Sequence, residues 1–272
     1  RPTMSDSVVG TGKKVETEVH PSAMVDPHAE LGEGVVVGPW SIIGPRVRVG
    51  DGTVVASHVL VERDTTVGAD CRLHQGAVLG TDPQDLKFRG EDTVLVVGDR
   101  TVIREYATLN RGTADLGRTV VGDDCLLMAY SHIAHDCQIG NNVVISNAVN
   151  MGGHVFIEDW AIVGGLTAIH QFVRIGAHAF VGGASRTSQD VPPYTKAAGS
   201  PCKLYGLNTV GLDRRGFSVE VRQALKKAYK TVFQSSVPLS QGLEQAEKEA
   251  EEYPEVRQFL TFVRTSERGV TT

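Results

Sequence analysis

The sequence predicts a mainly β fold: a parallel β-helix of short repeats, followed by a C-terminal α-helical domain. Three observations carry the prediction. An aliphatic residue recurs at every sixth position over most of the chain. The fifth position of each hexad is small or β-branched, as in Val35, Ser41, Val47, Thr53 and Val59. The beat stops after Pro192-Pro193, where the spacing of apolar residues becomes helical.

The aliphatic beat runs from Val19 through Val25, Leu31 and Val37 to Leu79. It returns at Val97, Ile103 and Leu109, and continues unbroken from Val121 to Val181. A period of six is neither the 3.6 of a helix nor the two of a flat strand, and a fixed short period marks a repeat architecture. Each hexad supplies one strand and one corner, so three hexads, 18 residues, close a triangular turn. Stacked at roughly 4.8 Å, about eight turns give a prism on the order of 40 Å long with aliphatic side chains inside. Cys71, Cys125 and Cys137 fall on the fifth position and read as small buried hydrophobes. Cys202 lies outside the repeat and is expected to be accessible. Glycine often follows the aliphatic residue, as at Gly38, Gly44 and Gly50, and is expected to serve sharp corners.

The 272 residues divide into a polar, flexible leader (1–16), a solenoid (17–195) with inserted loops near 80–96 and 110–119, and a helical domain (196–272). A net charge of −5 gives no reason to expect nucleic-acid binding. No apolar run reaches the roughly 18 residues of a membrane span, and no apolar signal core opens the chain, so a cytoplasmic protein is expected. Four cysteines without a C-x-x-C pair give no disulfide framework. His20, His28, His58 and His74 are scattered over different hexad phases and read as surface or corner residues.

The chemistry concentrates between residues 121 and 187. Counting in steps of 18 stacks His132 under Asn150, His135 under Gly153 and Gln171, and Asp136 under His154 and Phe172; Ala134 leads to Gly152 and His170. Most of these polar residues lie off the inward positions, so they form one strip across three turns. An imidazole held by a carboxylate suits a general base, and His135-Asp136 supplies both if a turn brings the two side chains round. An amide at Gly153, with no side chain in the way, can face an oxyanion. No serine or cysteine nucleophile stands in the strip, which favours direct transfer to an incoming hydroxyl over a covalent intermediate. Two other readings remain open on the residues alone: a zinc centre built from three histidines with an open fourth position, and a scaffold without chemistry.

A resemblance narrows these. Gln84-Asp85-Leu86-Lys87, Arg111-Gly112-Thr113, His132-Ile133-Ala134-His135-Asp136, Gly152-Gly153-His154, His170-Gln171-Phe172, Gln189-Asp190-Val191-Pro192-Pro193-Tyr194 and Arg214-Arg215-Gly216-Phe217-Ser218 stand in the same order as in one family. The chain resembles the acyl-acyl-carrier-protein:UDP-N-acetylglucosamine O-acyltransferases of lipid A biosynthesis over roughly residues 17–270. The resemblance implies a left-handed coil, against the usual handedness of crossovers, and homotrimers with active sites between prisms. It implies transfer of a 3-hydroxyacyl chain from acyl carrier protein to the sugar 3-hydroxyl, with no resident cofactor because the acyl group arrives on phosphopantetheine. His135 becomes the general base, Asp136 its partner and Gly153 the oxyanion donor. His132, His154, His170 and Gln171 line the sugar and acyl groove; Gln84, Asp85 and Lys87 reach in from a neighbouring subunit. Asn208, Arg214 and Arg215 bind uridine diphosphate, and Gly183 limits acyl length. Asn110 stands where the best-known members have histidine, which leaves a 3-amino acceptor open beside the hydroxyl; Pro201 stands where a histidine is common, a departure that bears on a contact near the nucleotide end.

Beyond the solenoid, Ser218 is placed as the N-cap of a helix to Phe233, with Val221, Leu225, Ala228, Tyr229 and Val232 on one face. Leu239 to Tyr253 reads as a second, acidic helix, and Pro254 opens a third through Val263. Lys226, Lys227 and Lys230 form a solvated face or a dock for the acidic carrier protein.

Overall fold

The computed structural model describes residues 16–248 and 253–272. Apart from residue 16, the expected leader lies outside the described residues, as do residues 249–252 of the expected second helix. Three sheets of 11, 9 and 8 strands, parallel but for the last strand of the first, form the faces of a prism. The first face holds strands such as Leu126–Leu127 and Val144–Ile145, the second His132–Ile133 and Asn150–Met151, the third Gln138–Ile139 and Phe156–Ile157. Consecutive strands lie on successive faces, and eight strands on the third face mean eight complete turns.

The 18-residue step is observed directly as strand register: His132 pairs with Asn150, Ile139 with Ile157 and Val163 with Val181. Two steps are longer. Val67 pairs with Val97 and Val97 with Val121, so the two expected insertions stretch those turns without breaking the ladder. Lead and fifth positions both point inward: Val35, Val37, Val143, Ile145, Val155 and Ile157 are all fully or almost fully buried. Burial pushes the thiol of Cys125 up to about 11 and that of Cys137 up to about 12, which keeps both inert. Cys202 is buried too, packed into the solenoid core rather than exposed, because the chain folds one more hairpin, Thr195–Ala198 with Lys203–Leu207, onto the first face.

The corners differ from expectation in one respect. The left-handed conformation sits on the fourth residue of nearly all hexads, and most of these are not glycine: Asp124, Tyr130, Asp136, Asn142, Ala148, His154, Trp160, Leu166, Phe172 and His178 all have φ between 54° and 65°. The glycine after the aliphatic residue answers a different need. A Cβ on Gly44 would come within 1.6 Å of the Glu62 carbonyl oxygen on the next turn. Close approach of stacked backbones selects glycine there.

Past the prism, α1 (Thr209–Arg214), α2 (Val219–Phe233), α3 (Leu239–Lys248) and α4 (Pro254–Arg264) form a second apolar cluster around Leu212, Leu225, Tyr229, Phe259 and Leu260. Ser218 caps α2 by accepting from the Val221 amide, and Leu225, Ala228, Tyr229 and Val232 are buried as expected. No helix among the described residues is long and apolar enough to cross a membrane.

Candidate active site

In a strand, neighbouring side chains point to opposite faces. His135 and Asp136 escape that rule because they form the corner between the second and third faces, and Asp136 adopts φ 59°. The corner swings both side chains together: His135 Nδ1 donates to Asp136 Oδ2 over 2.8 Å. This fixes the tautomer, leaving the Nε2 lone pair free to accept a proton. The Asp136 side chain is wholly buried and His135 is 15% exposed, so the carboxylate is sealed and the imidazole opens to solvent. Two further donors meet the carboxylate: the Thr113 amide at 3.0 Å and the Thr113 hydroxyl at 2.6 Å. Thr119 Oγ1 accepts from the Asp136 amide and secures the backbone.

The next turn contributes Gly153 and His154. The Gly153 Cα lies against the His135 imidazole so closely that a Cβ would fall 2.4 Å from its Cε1. Glycine is therefore required for the ring's position. The amides of Gly152 and His154 join the inter-turn ladder, whereas the Gly153 amide takes no part in it. His154 stands edge-on to His135, ring centres 5.3 Å apart, and stacks on Phe172 from the turn beyond at 4.5 Å. Its Nε2 lies 3.5 Å from Asp136 and its Nδ1 3.6 Å from Asp115. His132, paired with Asn150, shares a 2.7 Å hydrogen bond with Thr108. Burial, and then the neighbouring His135, lower its pKa, so it stays neutral beside the base. His170 and Gln171 are exposed at the same corner, His170 Nδ1 donating to the Gln171 carbonyl. The predicted strip is therefore assembled.

Comparison with known proteins decides the family. A family model described as UDP N-acetylglucosamine O-acyltransferase, domain 2, matches residues 190–271, and a bacterial transferase hexapeptide model matches residues 28–63 and 118–153. The acyl-[acyl-carrier-protein]–UDP-N-acetylglucosamine O-acyltransferase of Janthinobacterium sp. is 48% identical over 93% of this chain and 98% of its own; that of Burkholderia orbicola is 48% identical over 93% and 99%. Among solved structures, the Francisella novicida UDP-N-acetylglucosamine acyltransferase superposes with a TM-score of 0.91 at 35% identity, covering 93% of each chain. The Arabidopsis enzyme gives 0.83 at 34%, covering 93% of this chain and all of its own. The chain belongs to the acyl-acyl-carrier-protein:UDP-N-acetylglucosamine O-acyltransferase family. Its prism is the left-handed parallel β-helix of that family, and the zinc hydratase reading is not favoured. Among the described residues, the donors that come within 4.8 Å of one another are His135, Asp136 and His154, not three imidazoles.

The other residues that the sequence singles out lie elsewhere on the prism. Gly183 is exposed at the edge between the first and second faces, where a Cβ would meet the Gly165 carbonyl oxygen at 3.1 Å. Asn208 and Arg215 gather at the third edge, around His178. Asn208 caps α1 and donates to the His178 carbonyl; Arg215 donates to His178 Nδ1 at 3.2 Å and lies over Trp160. Arg214 is exposed in the last turn of α1. Burial, with Arg215 adding to it, pushes His178 down to about 4. Gln84, Asp85 and Lys87 sit in the first insertion, where the Lys87 amide donates to Asp85 Oδ1 and the loop folds on itself.

Sequence reasoning missed several residues that shape these sites. Arg111 is completely buried and pins the insertion, donating to the carbonyls of Gly80 and Thr93 and to Asp82. Asn110 is buried beside it, its amide nitrogen donating to Thr81 Oγ1 and the Asp82 carbonyl, so this departure from the family serves the loop base. Thr113, Asp115 and His178 carried no assigned role; the Arg111-Gly112-Thr113 run was the one available signal.

Proposed function

We propose that the chain transfers a 3-hydroxyacyl group from acyl carrier protein to the 3-hydroxyl of UDP-N-acetylglucosamine, the first step of lipid A biosynthesis, in the cytoplasm. The observation that carries the reading is the sealed carboxylate–imidazole pair of Asp136 and His135, packed on Gly153, in a chain of this family. His135 Nε2 takes the proton as the sugar oxygen attacks the thioester carbonyl; Asp136 stabilises the imidazolium. The free Gly153 amide faces the developing oxyanion. Collapse expels the phosphopantetheine thiolate, which recovers the proton from His135. The reading needs no resident cofactor, since the acyl group arrives activated as a thioester.

The same reading includes a homotrimer. The base, the acyl-length residue Gly183 and the nucleotide residues Asn208 and Arg215 occupy three different edges of one prism. Packing prisms side by side brings different edges together in the grooves between them, where His132, His154, His170 and Gln171 of one copy would line the substrate groove. Gln84, Asp85, Lys87 and Arg214 then have a neighbouring copy to reach.

The test offers purified protein a mixed acyl-carrier-protein pool with both the 3-hydroxy and 3-amino UDP-sugars, and identifies products by mass spectrometry. The expected product is the 3-O-acyl sugar, lost in His135→Ala while the oligomer and melting temperature persist. Substantial turnover by His135→Ala, or acylation of the amine alone, contradicts the reading.

A further inference from the structure

We propose that Thr113 is a positioning residue for the acyl-transfer dyad, and that the second insertion exists to seat it on Asp136. The inference rests on reading His135 as the base. A wholly buried carboxylate must have its charge met by donors, or it takes up a proton and releases its partner. His135 alone touches one oxygen, Oδ2, and leaves the group free to rotate about its Cβ–Cγ bond. Thr113 removes that freedom. Its amide donates to Oδ1 at 3.0 Å and its hydroxyl to Oδ2 at 2.6 Å, so both oxygens are held.

The hydroxyl is itself oriented. It accepts from the Asp115 amide at 3.3 Å, which directs its proton toward Asp136. The Gly117 amide donates to the Thr113 carbonyl at 2.7 Å, and Gly117, at φ 70°, turns the chain back into the prism. The turns after this one step by 18 residues from Val121 opposite Ile139 as far as Ile169 opposite Thr187; the step from Val97 to Val121 is 24. The additional residues are those that carry Thr113 outward to the corner. Asp115, on the same excursion, faces His154 Nδ1 at 3.6 Å, so one loop meets both the buried carboxylate and the neighbouring imidazole.

The test compares Thr113→Val, which keeps the shape and removes the hydroxyl, with Thr113→Ser, which restores it. The Asp136 backbone stays anchored by Thr119 in both, so the fold is expected to survive. Two readouts are taken on the full chain: kcat and KM for acyl transfer, and the low-field proton resonance of the His135 Nδ1–H, assigned by its loss in His135→Ala. For Thr113→Val, kcat is expected to fall roughly 10- to 100-fold, the effect of losing one hydrogen bond to a charged group, at unchanged KM. The resonance should shift upfield or broaden away before any substrate is added. Thr113→Ser should recover both. Parent-like kcat or an unmoved resonance in Thr113→Val overturns the proposal, as does a rise in KM alone or failure of serine to rescue. Should His135→Ala keep its turnover, the base reading falls, and the resonance still decides whether Thr113 seats Asp136.

Discussion

Replacing Gly153 with alanine isolates how finely the imidazole is placed. The backbone tolerates the change, because Gly153 is not in the left-handed region. The added Cβ would sit 2.4, 2.6 and 2.9 Å from the Cε1, Nε2 and Nδ1 of His135. Ordinary contact begins near 3.5 Å, so the ring must retreat by about 1 Å. The retreat carries Nε2 away from the acceptor hydroxyl and strains the Nδ1 bond to Asp136. Misplacement on that scale costs about 100-fold in rate, so kcat for Gly153→Ala should drop by about two orders of magnitude with little change in melting temperature. The assay is steady-state release of carrier-protein thiol, with thermal unfolding alongside. A variant within threefold of the parent would refute the argument that glycine is there for the ring. Gly44→Ala is the contrasting control: its Cβ meets backbone at 1.6 Å, so it should lose stability, about 1–3 kcal/mol as for other overpacking.

Asp136→Asn should reduce kcat on the order of 10³-fold or more, because an amide favours the wrong imidazole tautomer; parent-like turnover would exclude the carboxylate from the mechanism. His178 should titrate with a midpoint near 4 by proton NMR, against 6.5 when unfolded. Its folded pKa is depressed, so the unfolded state binds the proton first. The stability this residue contributes is present above about 6.5 and lost as pH falls toward 4. His178→Phe, which keeps a ring in the stack, should flatten the acid limb of melting temperature against pH; an unchanged limb would count against it. Arg111→Met should cost about 2–5 kcal/mol in urea unfolding, since the carbonyls of the buried residues Gly80 and Thr93 lose their donor. It should also speed hydrogen exchange across residues 81–93; unaltered exchange there would show that the loop stands without its anchor.

Much of the solenoid was legible because a repeat multiplies its own signal. Each inward position recurs on the same face, and the 18-residue step predicted the approach of His135, Gly153 and His154. The same arithmetic fails wherever the step changes. Thr113 reaches Asp136 across 23 residues and Arg111 reaches Gly80 across 31, spacings that no fixed period generates. His178 was overlooked for another reason: it belongs to neither strip, and its ring stacks between Trp160 and Tyr194, partners supplied by the corner ladder and by the chain beyond the repeat. Glycine after the aliphatic residue was correctly noticed and wrongly explained, since sequence shows composition and not which neighbour a missing side chain accommodates.

The corner geometry unites the fold with the chemistry. Adjacent residues in a flat strand cannot share a side-chain hydrogen bond, yet a dyad made of adjacent residues is fixed relative to itself by the backbone alone. A left-handed residue at the fourth place of nearly all hexads supplies such a corner turn after turn, and non-glycine residues accept the strain because the stacked ladder on both sides determines it. Asp136 and His154 occupy this place on successive turns, and Phe172 on the next, so one repeated backbone feature delivers the acid, the second imidazole and the ring that supports it. The triangular prism thereby offers three equivalent edges, and the proposed chemistry falls on the one where an insertion adds donors to a buried carboxylate.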